Sequence, residues 1–374
     1  MGTGIVATAG ATLPFDVRGL HVFAVSIWLV SLIMLVVLVV AFALHWFRHP
    51  DAIARYARDV TLAQFFGAPP MALLTVGAGS ILVGHSLIGE ATAVTLDWVL
   101  WSLGTFTGLL TVVAVPYLLF TRLEVRPDAA FGGWLMPVVP PMVSASTGGL
   151  LITHIASPTG RATLLYGCYA MFGMSLVASL IIITLIWSRL AHHGSSGTVR
   201  VPTLWIVLGP LGQSITAAGI LGANAAHAVP PTIARGFSFF AIAFGVPTWG
   251  FALLWIGLAA GLTVRTARHH LPFHLTWWSF TFPVGTFVTG TTRMALATQL
   301  PAFRVASAVA YVGLLSAWVL VAALTLRGLV TGRLLRVPLS GGRGPSASKG
   351  DLRTRALAEE TPVAANDDPA RRVS

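Results

Sequence analysis

The chain has 374 residues, of which 55% are hydrophobic and only 9% charged, and its mean hydropathy is +0.81. Soluble domains carry roughly 25% charged residues, so this composition excludes a soluble globular protein and predicts an integral membrane one. The net charge is +11, but the arginines fall between apolar stretches, which assigns them to topology and anionic headgroups rather than to nucleic acid.

A membrane-crossing helix needs about 20 apolar residues. Ten stretches are read as helical: 1–15, 20–46, 66–88, 98–121, 134–157, 163–188, 203–226, 236–262, 273–299 and 305–332. The expected fold is all-α, with about ten transmembrane helices arranged as five hairpins. Residues 1–332 form the expected transport domain. Residues 333–374, rich in Gly, Ser, Pro, Arg and acids, read as a disordered tail. The first stretch, MGTGIVATAG onward, lacks the basic start of a cleaved signal peptide and stops near Phe15, so a preceding segment is expected. Cys168 is the only cysteine, which excludes a disulfide within the chain and a cysteine zinc centre.

Arginines set the orientation. Nine lie in loops after even spans and four in loops after odd spans, and the stretch from Arg327 onward adds eight more and Lys349. The even loops and both termini are therefore expected on the cytoplasmic side of the plasma membrane.

The odd spans carry a repeated interruption. In span three Gly67 precedes Pro70. In span five Pro137, Pro140 and Pro141 precede Gly148. Gly209-Pro210 opens span seven, and Pro283 precedes Gly285 in span nine. From Pro137 to Pro210 is 73 residues, and from Pro210 to Pro283 is 73 again. Proline removes a backbone donor, and groups freed in this way within hydrocarbon must be satisfied by protein or by water in a cavity. The pattern predicts internal repeats whose odd helices ring a central path, with plainer even helices outside. The competing reading is small-residue packing without a pore.

No Asp or Glu is expected well inside a span; Glu90 and Asp97 are placed beside an outer loop. A cation pump keeps a carboxylate at depth, so the reading favours anions. Candidate path residues are Gly4, Pro70, Pro137, Pro141, Ser144, Ser146, Thr147, Gly209, Pro210, Gln213, Ser214, Thr216, Pro283 and Thr286, with further threonines in span nine. The hydroxyls would act with N–H groups freed at the breaks; the alternative is that they bond back to their own helices. Arg293 either attracts anions or snorkels at a helix end. Phe280, Phe282 and Phe287 surround Pro283 and are either packing residues or an apolar plug. His154 and His85 are candidates for proton coupling, or merely satisfied polar residues. No metalloprotease, hydrolase or nucleotide-binding motif occurs, so no enzyme, cofactor or metal is expected.

The strings MGTG (Met1–Gly4), LMPVVPP (Leu135–Pro141), GPLGQS (Gly209–Ser214) and WWSFTFPVGTF (Trp277–Phe287) together resemble the tellurite-resistance/dicarboxylate transporter family. This family includes the bacterial permease TehA, plant slow anion channels, fungal malate permeases and sulfite efflux pumps. The resemblance covers residues 1–332. It implies odd helices around a pore in each protomer of a homotrimer, with Phe282, or else Phe280, occluding it. It also implies small anions as substrates: a C4-dicarboxylate such as malate first, sulfite or an inorganic anion (nitrate, chloride) as the alternative, with a link to tellurite resistance. Family members usually carry a short apolar segment before MGTG, where this chain begins.

Overall fold

The computed structural model describes residues 1–334 except 127, 196, 270 and 333. The predicted tail lies outside the described residues, Leu334 apart. All regular structure among the described residues is helical. Met1–Thr325 form one compact unit. Residues from Leu326 onward belong to a second one, whose described part is the end of the last helix and a few residues after it.

The α-helices in order are α1 (Gly4–Thr12), α2 (Leu20–Arg48), α3 (Ala52–Ala57), α4 (Ala68–Gly79), α5 (His85–Ile88), α6 (Glu90–Thr121), α7 (Pro140–Leu151), α8 (Pro158–His193), α9 (Leu208–Asn224), α10 (Pro231–Arg268), α11 (Phe282–Thr298) and α12 (Pro301–Val330). Among the described residues seven helical stretches are long and apolar enough to cross a membrane: α2, Leu62–Ile88, α6, α8, Val201–His227, α10 and α12. The predicted first, fifth and ninth spans are also helical, but α1, α7 and α11 run to only 9, 12 and 17 residues. Val201–His227 is almost wholly buried, whereas α2, α6, α8, α10 and α12 expose most of their apolar length. The odd-numbered spans thus lie inside and the even-numbered ones outside.

The prolines do not kink these inner helices in mid-span. They start them. A 3-10 segment (Leu62–Gly67, Gly132–Leu135, Val201–Val207 or Leu275–Phe280) comes before α4, α7, α9 and α11 respectively. Pro70, Pro141, Pro210 and Pro283 each fall in the first three residues of the following α-helix. Proline is favoured there because its missing N–H would lack an intrahelical partner anyway. Some of the N–H groups at the breaks are already bonded within the chain. Ala68 N–H donates to Phe65 O, Met142 N–H to Val139 O (2.9 Å) and Gly285 N–H to Thr281 O (2.9 Å).

Between helices in lipid, association rests on close packing and hydrogen bonds rather than on hydrophobic transfer. Both are seen between α9 and α11. A Cβ on Gly212 would lie 2.4 Å from Phe287 N, so only glycine allows this approach. Thr286 Oγ1, 3.1 Å from Leu208 O, joins the two helices beside it. On the other side of the ring, α4 ends in a π turn, Ser80–Gly84. There Trp28 of α2 donates its indole N–H to Val76 O at 3.0 Å.

Four of the five outer helices, all but α2, start earlier than hydropathy suggested. α6 begins at Glu90 rather than near residue 98, because its first two turns are polar enough to hide from an apolar window. Asp97 is therefore inside a helix and fully buried. This corrects the expectation that no acid lies within a span.

Candidate functional site

Two cavities occupy the middle of the inner ring, and Phe282 lines both. The first has a volume of about 50 Å³, room for a few water molecules. Its polar wall comes from Thr8 and Thr12 of α1, Thr75 of α4, Ser146 and Thr147 of α7, Gln213 and Thr216 of α9, and Thr289 and Arg293 of α11. Gln213 donates its amide to Ser146 Oγ. Arg293 has no acidic partner among the described residues, where the only ion pair is Arg126–Asp128.

The second cavity measures about 470 Å³ and is almost wholly apolar, walled by Met71, Phe131, Met136, Trp278 and neighbours. Arg200 and His274 are its titratable side chains. The Arg200 guanidinium carbon stands 5.1 Å from the centre of the Phe131 ring, a cation–π distance. Gly209 and Pro283 also line this cavity. Between the two spaces the Phe282 ring is only 4% exposed. It sits at the start of α11, where the preceding 3-10 segment and Pro283 fix the direction of the chain.

Not every residue proposed from sequence meets at this place. Phe280 lines neither cavity; its ring packs edge-on to Trp205 (5.6 Å) and Trp277 (5.8 Å). Ser144 is buried with an unpartnered hydroxyl, and its carbonyl accepts from Trp101 of α6 at 3.0 Å. Ser214 bonds back to Leu211 O. Thr286 bonds to Leu208 O and Pro283 O. Gly4, Pro70 and Pro137 serve helix contacts, against Thr75, Gly104 and Gly67 respectively. Pro141 and Pro210 are buried at helix starts. His85 and His154 are exposed and share a separate cavity of about 260 Å³ with Glu90; His85 Nδ1 lies 2.8 Å from Ile81 O. Among the described residues no cluster of His, Cys, Asp or Glu is arranged to hold a metal ion.

Sequence reasoning missed Thr8, Thr75 and Arg200. Arg200 had been read as a topology charge. Its nearness to Val201–Val207, the segment that opens an inner span, was the available signal.

The model of the SLAC1 voltage-dependent anion channel family matches residues 1–326. The chain belongs to that family. It is similar to a protein named sulfite efflux pump SSU1 from Trichophyton rubrum, 27% identical over 342 residues that cover 90% of each chain. An uncharacterized transporter, MJ0576, from Methanocaldococcus jannaschii is 27% identical over 77% of this chain and 79% of its own. A Candida albicans protein, also named sulfite efflux pump SSU1, is 22% identical over 79% of this chain and 64% of its own. As a SLAC1-family member the protein is a multi-pass membrane anion transporter or channel. Two cationic side chains line the cavities that Phe282 borders, Arg293 the first and Arg200 the second.

Proposed function

We propose that the protein carries a small oxyanion, sulfite first, through the path joining the two cavities, with Phe282 as its gate. The observation that carries this reading is that one buried aromatic ring borders both spaces. Two further facts favour sulfite over malate, which the sequence had put first. The polar cavity is small, about 50 Å³, and the Trichophyton rubrum relative named as a sulfite efflux pump matches along 90% of the chain.

In the mechanism, an anion in the apolar vestibule is held near Arg200. It gives up part of its hydration shell and passes when the Phe282 ring turns aside. An apolar constriction of this kind closes by dewetting. Beyond it, hydroxyls, the Gln213 amide and Arg293 replace the lost water. Transport is passive or proton-coupled, since the sequence has no nucleotide-binding loop; His85 and His154 are the residues to test for coupling. Residues 1–332 make up the transport domain, in a homotrimer with one path per protomer, in the plasma membrane with cytoplasmic termini.

Anion flux into proteoliposomes tests this reading, with sulfite, malate, nitrate and chloride compared with and without a pH gradient. Sulfite uptake exceeding malate uptake is expected. Malate uptake alone would return the dicarboxylate reading, and no flux of any anion from folded protein would remove the proposal.

A further inference from the structure

Seven hydroxyls line the small cavity beyond Phe282, Thr12 and Thr147 among them; the other five come one from each inner helix: Thr8, Thr75, Ser146, Thr216 and Thr289. Four of them stand at one offset. Thr75 follows Pro69, Ser146 follows Pro140, Thr216 follows Pro210 and Thr289 follows Pro283, each by six residues. Each of these prolines opens its α-helix. An equal offset in helices that start alike brings the hydroxyls about 9 Å along each axis. The contacts agree with a common level. Thr216 Oγ1 and Thr289 Oγ1 are 2.7 Å apart, and the Gln213 amide reaches Ser146 Oγ across the next interface.

Each hydroxyl also has a second place for its proton. Thr75 donates to Met71 O at 2.6 Å, Ser146 to Val143 O at 2.9 Å, Thr216 to Gly212 O at 2.9 Å and Thr289 to Thr286 O at 3.0 Å. Thr8 lies 3.3 Å from Ile5 O. These carbonyls belong to helix backbones, so the side-chain bond is a supplement to the helix rather than its support. An O–H can turn from such a carbonyl toward a stronger acceptor at little cost, and a bond to a charged acceptor is the stronger one.

We propose that these five hydroxyls form a dehydration ring, repeated by the internal symmetry of the chain, that selects strongly hydrated oxyanions. The inference rests on the path reading above and adds to it the class of anion preferred. Sulfite, which like nitrate has three acceptor oxygens but carries more negative charge on them, binds several O–H donors more strongly and recovers what it lost in shedding water. A weakly hydrated anion such as nitrate gains less from the same donors. The ring therefore raises sulfite passage relative to nitrate, while Arg293 attracts both.

The test replaces Thr75, Thr216 and Thr289 by valine, singly and together. Valine keeps the branched shape and removes the donor. Sulfite and nitrate fluxes are measured in the same proteoliposome preparation. In the triple variant the sulfite-to-nitrate ratio should fall about tenfold, since charged hydrogen bonds are lost, with nitrate flux little changed. Thr216→Ser, which restores a hydroxyl, should keep the ratio. Thr184→Val, which removes an exposed back-bonded hydroxyl on α8, should leave it alone. If the triple variant does not fold, the single variants carry the same comparison. Wild-type flux with an unchanged ratio in the valine variants, or an equal fall for both anions, overturns the ring and leaves the path intact. Absence of wild-type flux overturns both.

Discussion

Asp97 presses on Gly77 so closely that a Cβ at Gly77 would stand 2.4 Å from Asp97 Oδ1. The acid is fully buried in α6, and neither carboxyl oxygen has a hydrogen-bond partner. It lines neither path cavity. Gly77→Ala should therefore destabilise the protein by about 1–3 kcal/mol through overpacking, read as a lower melting temperature in detergent. Asp97→Asn has the same shape without a carboxylate that lacks donors, and such a group is costly to bury. It should hold or raise the melting temperature and keep sulfite flux. A marked fall in stability would mean that the carboxylate has a partner in the membrane.

Phe282 and Phe280 are two residues apart, yet only the first borders the cavities. Phe282→Ala should raise anion flux by roughly tenfold, about 1.4 kcal/mol of barrier. Phe280→Ala should not raise it, and should instead loosen the Trp205–Trp277 cluster. Equal flux increases in the two variants, measured in parallel, would remove the gate assignment.

Arg200 and Arg293 line different cavities, both bordered by Phe282, so if Phe282 is the gate their loss should be felt from opposite sides. Arg200→Gln should lower flux at low substrate concentration when the anion is added on the Arg200 side, and Arg293→Gln when it is added on the other. A neutralised cation weakens attraction more than maximal rate. The Arg200 effect should shrink as ionic strength shortens the range of the field. Effects that do not depend on the side of addition would argue against separate capture points.

Trp28 fastens α2 to the carbonyl of Val76, just before the π turn of the third span. Trp28→Phe removes that N–H and leaves most of the ring. It should cost about 1 kcal/mol, visible as a modest fall in melting temperature with the choice of anion unchanged.

The proline periodicity was legible because it reports a repeated junction, and the junctions fix where the inner helices begin. Its detail was not. A proline in an apolar stretch looks the same whether it kinks a helix or starts one, and only the preceding 3-10 segments decide. The hydroxyl list was too generous for a reason present in the sequence. Residues two apart on a helix differ by about 200° in direction, so Ser144 and Ser146 cannot both face one cavity, nor can Ser214 and Thr216. Thr75 was missed because no hydroxyl was sought on span three, although it stands six residues after Pro69. Asp97 was misplaced by the polar first turns of α6, which lengthen the helix without adding to its hydropathy.

The brevity of the inner helices has a consequence for how the chain is made. α7 has 12 residues, about 18 Å of helix, against roughly 30 Å of hydrocarbon. α11 carries Arg293 and five threonines, and an arginine within a span opposes its insertion. Neither settles in lipid on its own. Each enters beside neighbours that the ribosome has already delivered, and α11 comes after most of them. The last wall of the path is thus raised only when α9 and α10 are in place to receive it. A chain released before residue 282 would leave the Thr216 side of that wall turned toward the acyl chains, a lesion that membrane quality control can read.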